Sequence, residues 1–340
     1  MRALRREVFL RERPLLLVHG AAPYFHAARG RDLPLSRLPR CGAGEGEGRV
    51  ATLPQPRVMT GRALSPLAAA LRRNDRDRFQ TALFAPAERR EALLALYAFN
   101  YEIARVPEVT HEPLIGQIRL QWWREVIDMA YGGGPVRHHE VALPLAATIR
   151  DFGLTRASLD RLIDAREQDL ADEPPASLAA LETYAEASSA GLLVAALETL
   201  GVRGPEAAAA ARDVGIAYAL AGLLRALPFH AQAGRRYIPE DVAAAAGLDP
   251  GDYAARRASP GLREAVKAIA EAAVFRLAAA RGRRGVLPRA ALPALLPAAV
   301  AERALRRLRR AGWNPFDPRL AAPDPLLVWR LAAAALAGRF

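Results

Sequence analysis

Two aspartates spaced four residues apart are the clearest candidates for metal chemistry in this sequence. Asp160 and Asp164 would share one face of a helix, and Glu167 and Asp169 follow closely. Carboxylates arranged in this way can hold Mg²⁺, which in turn binds a diphosphate. Arginines are interspersed among these acids, so a surface helix with solvated charges is the favoured interpretation.

No other residue pattern indicates a metal, nucleotide or nucleophile site. His138, His139 and Glu140 follow the glycines at 132–134 and lack the histidine pair or cysteine partners of a zinc site. Those glycines do not follow a predicted strand, so they do not form a phosphate-binding loop. The single cysteine, Cys41, excludes a disulfide scaffold and fits a reducing compartment.

The net charge of +12 is unevenly distributed along the 340 residues. Residues 1–58 carry 11 basic and 5 acidic side chains, residues 59–255 carry 20 and 26, and residues 256–340 carry 17 and 5. A protein that clamps nucleic acid is expected to have a basic main body, so no nucleic-acid partner is predicted. The basic C-terminal quarter suits an acidic protein partner or an anionic membrane surface, with a solvated arginine-rich helix face as the alternative.

Beyond Met59 the sequence predicts an all-α domain. Ala, Leu, Arg and Glu recur between proline and glycine breaks, and no segment alternates like a strand. No uncharged apolar stretch reaches the roughly 20 residues that cross a bilayer. The clearest predicted helices span residues 87–105, 114–131, 159–170, 178–200, 205–227, 261–281, 297–311 and 325–337.

Residues 1–58 are predicted to stand apart from the helical domain, which spans residues 59–340. Between residues 29 and 59 the chain has alternating glycines from 42 to 48, four prolines and no helical or strand period. Two alternatives follow from this composition. Residues 1–58 are a disordered arm, or they lie upstream of the true initiator, Met59.

A series of short motifs in the helical region resembles the squalene and phytoene synthase family. The motifs occupy residues 82–90, 94–99, 121–124, 162–170, 184 with 190–193, 215 with 223–225, and 234–241. The resemblance covers residues 62–340, and it depends on many motifs that occur in the family's order. It implies a single-domain prenyl-synthase fold, in which helices surround a central cavity.

The resemblance also implies where the family's chemistry would lie. In the family, two aspartate-rich motifs on facing helices hold the magnesium ions that bind a prenyl diphosphate. The positions that match the first motif are occupied here by Asn100, Glu102, Ala104, Arg105 and Glu108. Those that match the second motif are occupied by Arg225, Ala226 and His230. Because the aspartates are replaced, no catalytic residue, metal ligand or cofactor is expected.

These substitutions resemble the branch of the family that contains the mitochondrial complex I assembly factor and its bacterial relatives. That branch implies a non-catalytic protein whose partner is a subunit or assembly intermediate of NADH:ubiquinone oxidoreductase. Its expected place is the cytoplasm or the inner face of the cytoplasmic membrane. The alternative is a prenyl transferase that condenses two prenyl diphosphates and holds magnesium with other acids, namely Glu102, Glu108, Asp160, Asp164 and Asp169.

Four residues near the second motif are candidates for binding an anion without metal. Arg225, Arg235, Arg236 and Tyr237 match positions that flank the family's diphosphate site. Guanidinium groups bind phosphate and carboxylate directly. The predicted occupant of this mouth of the cavity is a phospholipid, a prenyl phosphate or an acidic segment of a partner. The alternative is that Arg225 is structural and the other two arginines are solvated.

Overall fold

The computed structural model describes residues 64–110, 112–171 and 173–340. Every regular element within these residues is helical, which confirms the predicted all-α fold. The two alternatives for residues 1–58 concern a segment outside the described residues.

The described chain folds into a succession of helices with short connections. A π-helical segment, Glu186–Ala190, joins the helix that ends at Ala185 to the helix that begins at Gly191, and 3₁₀ turns at Arg284–Val286 and Arg289–Ala291 precede the helix that begins at Leu292. In chain order the helices are α1 (Pro66–Asn74), α2 (Arg76–Ala82), α3 (Ala87–Ala104), α4 (Val106–Val109), α5 (Pro113–Gly132), α6 (Ala142–Phe152), α7 (Arg156–Gln168), α8 (Leu178–Ala185), α9 (Gly191–Thr199), α10 (Pro205–Gln232), α11 (Glu240–Ala245), α12 (Pro250–Ala254), α13 (Pro260–Gly282), α14 (Leu292–Leu295), α15 (Pro297–Arg310), α16 (Pro318–Ala321) and α17 (Leu327–Leu336).

The local sequence determines where several of these helices begin and end. Ser65, Ser177 and Ser259 precede α1, α8 and α13, and each side chain accepts a hydrogen bond from the backbone N–H three residues later. Gly133 and Gly153 end α5 and α6 in the left-handed conformation, which a residue without a side chain adopts readily. Each predicted helix corresponds to an observed one. The predicted helix at 178–200 comprises α8, the π-helical segment and α9.

The central element of the fold is α10. It packs against α13, α15, α9 and the π-helical segment, and most of its residues are buried. By length and composition α10 could cross a membrane, but 72% of its most apolar window is buried inside the protein. It is therefore the core helix of the bundle and gives no argument for a membrane span.

One close approach between elements requires a glycine. A Cβ atom added to Gly215 of α10 would lie 2.6 Å from the Cα of Ala190, at the end of the π-helical segment. Real Cβ atoms do not come so close to backbone, so Gly215 lets α10 contact this segment directly. This contact sets the position of α10, the helix that carries the second motif.

Candidate functional site

The positions that match the family's first motif lie at the C-terminal end of α3. Asn100 and Ala104 are buried, and the side chain of Asn100 makes no hydrogen bond within the described residues. Arg105 ends the helix, and its guanidinium lies 3.3 Å from Glu102 and over the ring of Tyr101. The carboxylate of Glu102 is thus neutralised by its own neighbour in the helix.

The positions that match the second motif lie in the C-terminal half of α10. Ala226 and His230 are buried, and the ring of His230 packs 4.2 Å from the ring of Tyr237. The Arg225 Nη1 donates a hydrogen bond to Asp77 Oδ2 at 2.8 Å. This ion pair joins α10 to α2 and engages the guanidinium of Arg225 in the structure itself.

The segments that follow the two motifs contact each other. Arg235, just beyond α10, donates a hydrogen bond from Nη2 to the carbonyl oxygen of Pro107 in α4 at 3.0 Å. The backbone carbonyl of Arg235 accepts a hydrogen bond from the Tyr253 hydroxyl at 2.9 Å. The fold therefore brings the ends of α3 and α10 to one region of the molecule.

A buried polar network lies beside this region. Arg166 donates hydrogen bonds at 3.1 Å to Asp169, to the Tyr184 hydroxyl and to the carbonyl oxygen of Ser188. The Tyr237 hydroxyl donates to the other oxygen of Asp169 at 3.3 Å. Burial, reinforced by the charge of Asp169, raises the pKa of Tyr184 and of Tyr237 above the ordinary tyrosine value. Both phenols therefore stay protonated, and Asp169 is balanced by Arg166.

An open cleft borders the network, and we call it the Arg235 cleft. Its walls include Asp169, Tyr184, Arg235, Arg236 and Tyr237. Three of the four predicted anion-binding residues line it, together with two carboxylates, Asp169 and Glu173, so it is the described cleft that best matches the predicted anion site.

Arg225 does not line the Arg235 cleft. It lines a different cleft, which lies between α10, α15 and the segment that leads into α17, together with its ion-pair partner Asp77. The four residues predicted to bind an anion together are therefore divided between two clefts. The physical reason is the pairing of Arg225 with a buried carboxylate of α2.

The acidic residues of α7 face arginines at the surface. Asp160 pairs with Arg156 at 3.1 Å, while Asp164 and Glu167 both pair with Arg124 at 2.7 and 2.6 Å. These carboxylates are therefore engaged by arginines at the surface. Within residues 64–110, 112–171 and 173–340 no group of three or more His, Cys, Asp or Glu residues is placed to hold a metal ion.

The magnesium that the fold family implies does not fit the residues at the two motifs. Magnesium prefers oxygen ligands, above all carboxylates. The matching positions carry Ala104 and Arg105 on α3, and Ala226 and His230 on α10. These four side chains offer no carboxylate oxygen. The remaining acids of the first motif are Glu102, which pairs with Arg105 at 3.3 Å, and Glu108, so no pair of facing aspartate clusters is present among the described residues and no catalytic step through magnesium follows.

One of the histidines after the glycine break, His139, has a structural role. His139 Nδ1 accepts a hydrogen bond from the backbone N–H of Val141 at 3.1 Å, at the start of α6. Its ring also packs against Trp122 and Trp123. His138 and Glu140 are exposed.

The sequence did not indicate the buried charges of α2. Arg78 pairs with Asp75 at 2.7 Å and lies over the ring of Tyr218. Burial raises the pKa of Asp77, although Arg225 opposes that shift. Alternating charges at residues 75–78 are typical of a solvated turn, and only the packing of α2 against the body shows that three of the four are buried.

Two solved structures share the fold of this protein. A squalene synthase from Alicyclobacillus acidocaldarius matches with a TM-score of 0.66 at 22% identity, covering 74% of this chain and 94% of that one. A dehydrosqualene synthase matches with a TM-score of 0.70 at 18% identity, covering 80% and 94%. The fold is thus the all-α fold of these synthases.

Sequence comparison then assigns the family. The profile of the squalene/phytoene synthase family matches residues 71–329, and the chain belongs to that family, as the motifs predicted. The NADH dehydrogenase (ubiquinone) complex I assembly factor 6 of Rattus norvegicus is 34% identical over 257 residues, which are 76% of this chain and 77% of the relative. The presqualene diphosphate synthase of Sinorhizobium fredii is 27% identical over 195 residues, which are 57% and 68%.

Proposed function

We propose that this chain is a non-catalytic assembly factor for respiratory complex I. The observation that carries the proposal is the similarity to complex I assembly factor 6, which is higher and longer than the similarity to presqualene diphosphate synthase. The residues at the two motifs support it, because Ala104, Arg105, Ala226 and His230 offer magnesium no carboxylate. The chain would then keep the helical scaffold of its family as a pseudoenzyme and use its surface to bind protein.

The proposed partner is a subunit or an assembly intermediate of complex I. The Arg235 cleft supports a contact with an anionic group, since Arg235 and Arg236 line it and a guanidinium binds phosphate or carboxylate without metal. An acidic segment of the partner, a phospholipid or a prenyl phosphate would satisfy this chemistry. The proposed place of action is the cytoplasm or the inner face of the cytoplasmic membrane, and no cofactor is required.

Deletion of the gene in its source organism tests the proposal. We expect NADH:ubiquinone oxidoreductase activity of the membranes, and the fully assembled complex on native gels, to fall at least about tenfold, while succinate oxidation is unchanged. The wild-type gene should restore both. Arg236→Glu, which reverses an exposed charge of the cleft, should restore less than its matched control, Arg73→Glu, at an exposed site at the end of α1. Normal complex I in the deletion strain would overturn the proposal.

A second experiment addresses the alternative function, a prenyl transferase. Purified protein is incubated with Mg²⁺ and farnesyl or geranylgeranyl diphosphate, and released diphosphate is measured beside an active presqualene diphosphate synthase. We expect no release above a protein-free control, because Ala104, Arg105, Ala226 and His230 provide no carboxylate for magnesium. Sustained magnesium-dependent release by the unaltered chain would establish the transferase instead.

A further inference from the structure

The last helix of the chain presents an apolar stripe to solvent. Leu326, at the start of α17, is 51% exposed, Trp329 is 74% exposed and Leu336 is 84% exposed. Their spacing of three and seven residues places them on one face of the helix. The opposite face, with Leu327 and Leu331, is buried against the body. The stripe therefore does not contribute to the packing that holds α17 against the body.

Basic side chains outnumber acidic ones beside this stripe. Residues 324–340 contain Arg330 and Arg339 and one acid, Asp324, which accepts a hydrogen bond from the Leu326 N–H at 3.1 Å and pairs with Arg303 at 2.7 Å. Arg281 at the end of α13 donates a hydrogen bond to the backbone oxygen of Phe340 at 2.8 Å, which places the chain end beside the loop that follows α13.

That loop continues the same combination of charge and apolar surface. Arg284 and Arg289 are exposed on either side of Val286, which is 68% exposed. Neither Arg284, Arg289 nor Arg339 forms a salt bridge with another residue in the described part of the chain. Their charges are available to an external anion.

We propose that α17 and the loop at 283–289 form a membrane-docking surface that binds anionic phospholipid. Trp329, Leu326 and Leu336 enter the boundary between headgroups and acyl chains, and the arginines contact the lipid phosphates. Short amphipathic helices that combine Trp and Leu with Arg bind anionic membranes in this way. The proposal does not depend on the assembly function, which concerns the Arg235 cleft.

The shape of the surface favours a lipid bilayer over an acidic protein. None of the three stripe residues lines the Arg235 cleft, the cleft beside Arg225 or the open cleft beside Trp122. The three side chains are more than half exposed, although the cleft beside Arg225 reaches the neighbouring Leu327, and a protein partner would need a complementary groove to bury them. A fluid bilayer adapts to a ridge, and indole rings concentrate at its interface.

Vesicle binding by the full chain tests the proposal. Co-sedimentation is measured with phosphatidylcholine vesicles, with and without about 30% phosphatidylglycerol, at low and high salt. We expect binding only to the anionic vesicles and weaker binding at high salt. The double variant Trp329→Ser, Leu336→Ser should bind at least about tenfold more weakly. Its matched control is Phe275→Ser, which removes a side chain 68% exposed on α13 and should bind like the wild type.

Tryptophan fluorescence locates the contact. The chain has four tryptophans, and the spectrum should shift to the blue on vesicle binding because Trp329 leaves water. Trp329→Phe should abolish the shift while retaining most of the binding. Absence of binding to anionic vesicles, or equal binding by the double variant and the wild type, would overturn the proposal. A surface that binds an acidic protein and no vesicle would also overturn it.

Discussion

Arg225 shows how a residue that matches a family motif can be used for stability. Its match to the diphosphate-flanking position suggested anion binding, whereas its guanidinium is bonded to Asp77 on a helix 148 positions away in the sequence. Both groups are largely buried, with side-chain exposures of 23% and 12%. At that burial each charged group stabilises the other, because removal of either one would leave an unpaired charge out of water.

Loss of Arg225 alone should therefore be costly. Arg225→Met keeps most of the side-chain volume but leaves the Asp77 carboxylate buried without its partner, and we expect unfolding free energy to fall by about 3 kcal/mol. Adding Asp77→Asn should recover at least half of that loss. Urea denaturation measures both values. Arg212→Met, at an exposed pair with Glu186, is the control and should cost under about 1 kcal/mol. Equal losses in the two single variants would contradict this role for the pair.

Some of the site residues could be predicted from the sequence, and others could not. The motif positions on α3 and α10 follow from the resemblance, and the surface position of Asp160 and Asp164 follows from the interspersed arginines. The partner of Arg225 and the buried network of Arg166, Asp169 and Tyr184 depend on contacts between distant segments. No local pattern encodes such contacts, because each partner is an ordinary polar residue in its own helix.

At the scale of elements, long periodic helices were predictable and short ones were not. The prediction identified α10 and α13 because they have many turns and clear breaks at both ends. It did not identify α6, because this helix has only eleven residues and contains a proline at position 144. Such a segment resembles a loop with apolar residues. The sequence predicts ordinary helix across the π-helical segment, which packs against α10 in the structure.

The contact between α10 and the π-helical segment gives a sharp test of element packing. Gly215→Ala would place a methyl carbon 2.6 Å from the backbone of Ala190, so we expect a loss of at least about 2 kcal/mol in urea denaturation. Gly222→Ala lies in the same helix with no atom within 4 Å of the added carbon. That variant should gain about 0.5–1 kcal/mol from helix propensity. Similar effects at the two glycines would mean that α10 does not approach the segment this closely.

At the scale of the whole molecule, the basic C-terminal quarter is partly balanced by the acidic middle segment. Arg276 of α13 pairs with Glu182 and Asp213, and Arg283 also pairs with Asp213. The opposite net charges of the two segments thus meet inside the fold. The excess that remains available lies toward the end of the chain, where Arg284, Arg289 and Arg339 are exposed. Total net charge overstates the attraction for anions, and its location is more informative than its size.

The division of the chain at Met59 leads to the last prediction. The buried core of the described residues begins at Leu67 in α1 and continues to Phe340. A chain that starts at Met59 contains all of these residues, and the composition of residues 29–58 predicts no contribution to this core. We therefore expect the shortened chain to have the same urea midpoint and denaturant slope as the full chain. The two free energies of unfolding should agree to within about 0.5 kcal/mol. The expectation holds for a disordered arm and for an upstream segment alike. A lower midpoint, or a smaller slope, would show that residues 1–58 pack on the helical body and belong to the folded unit.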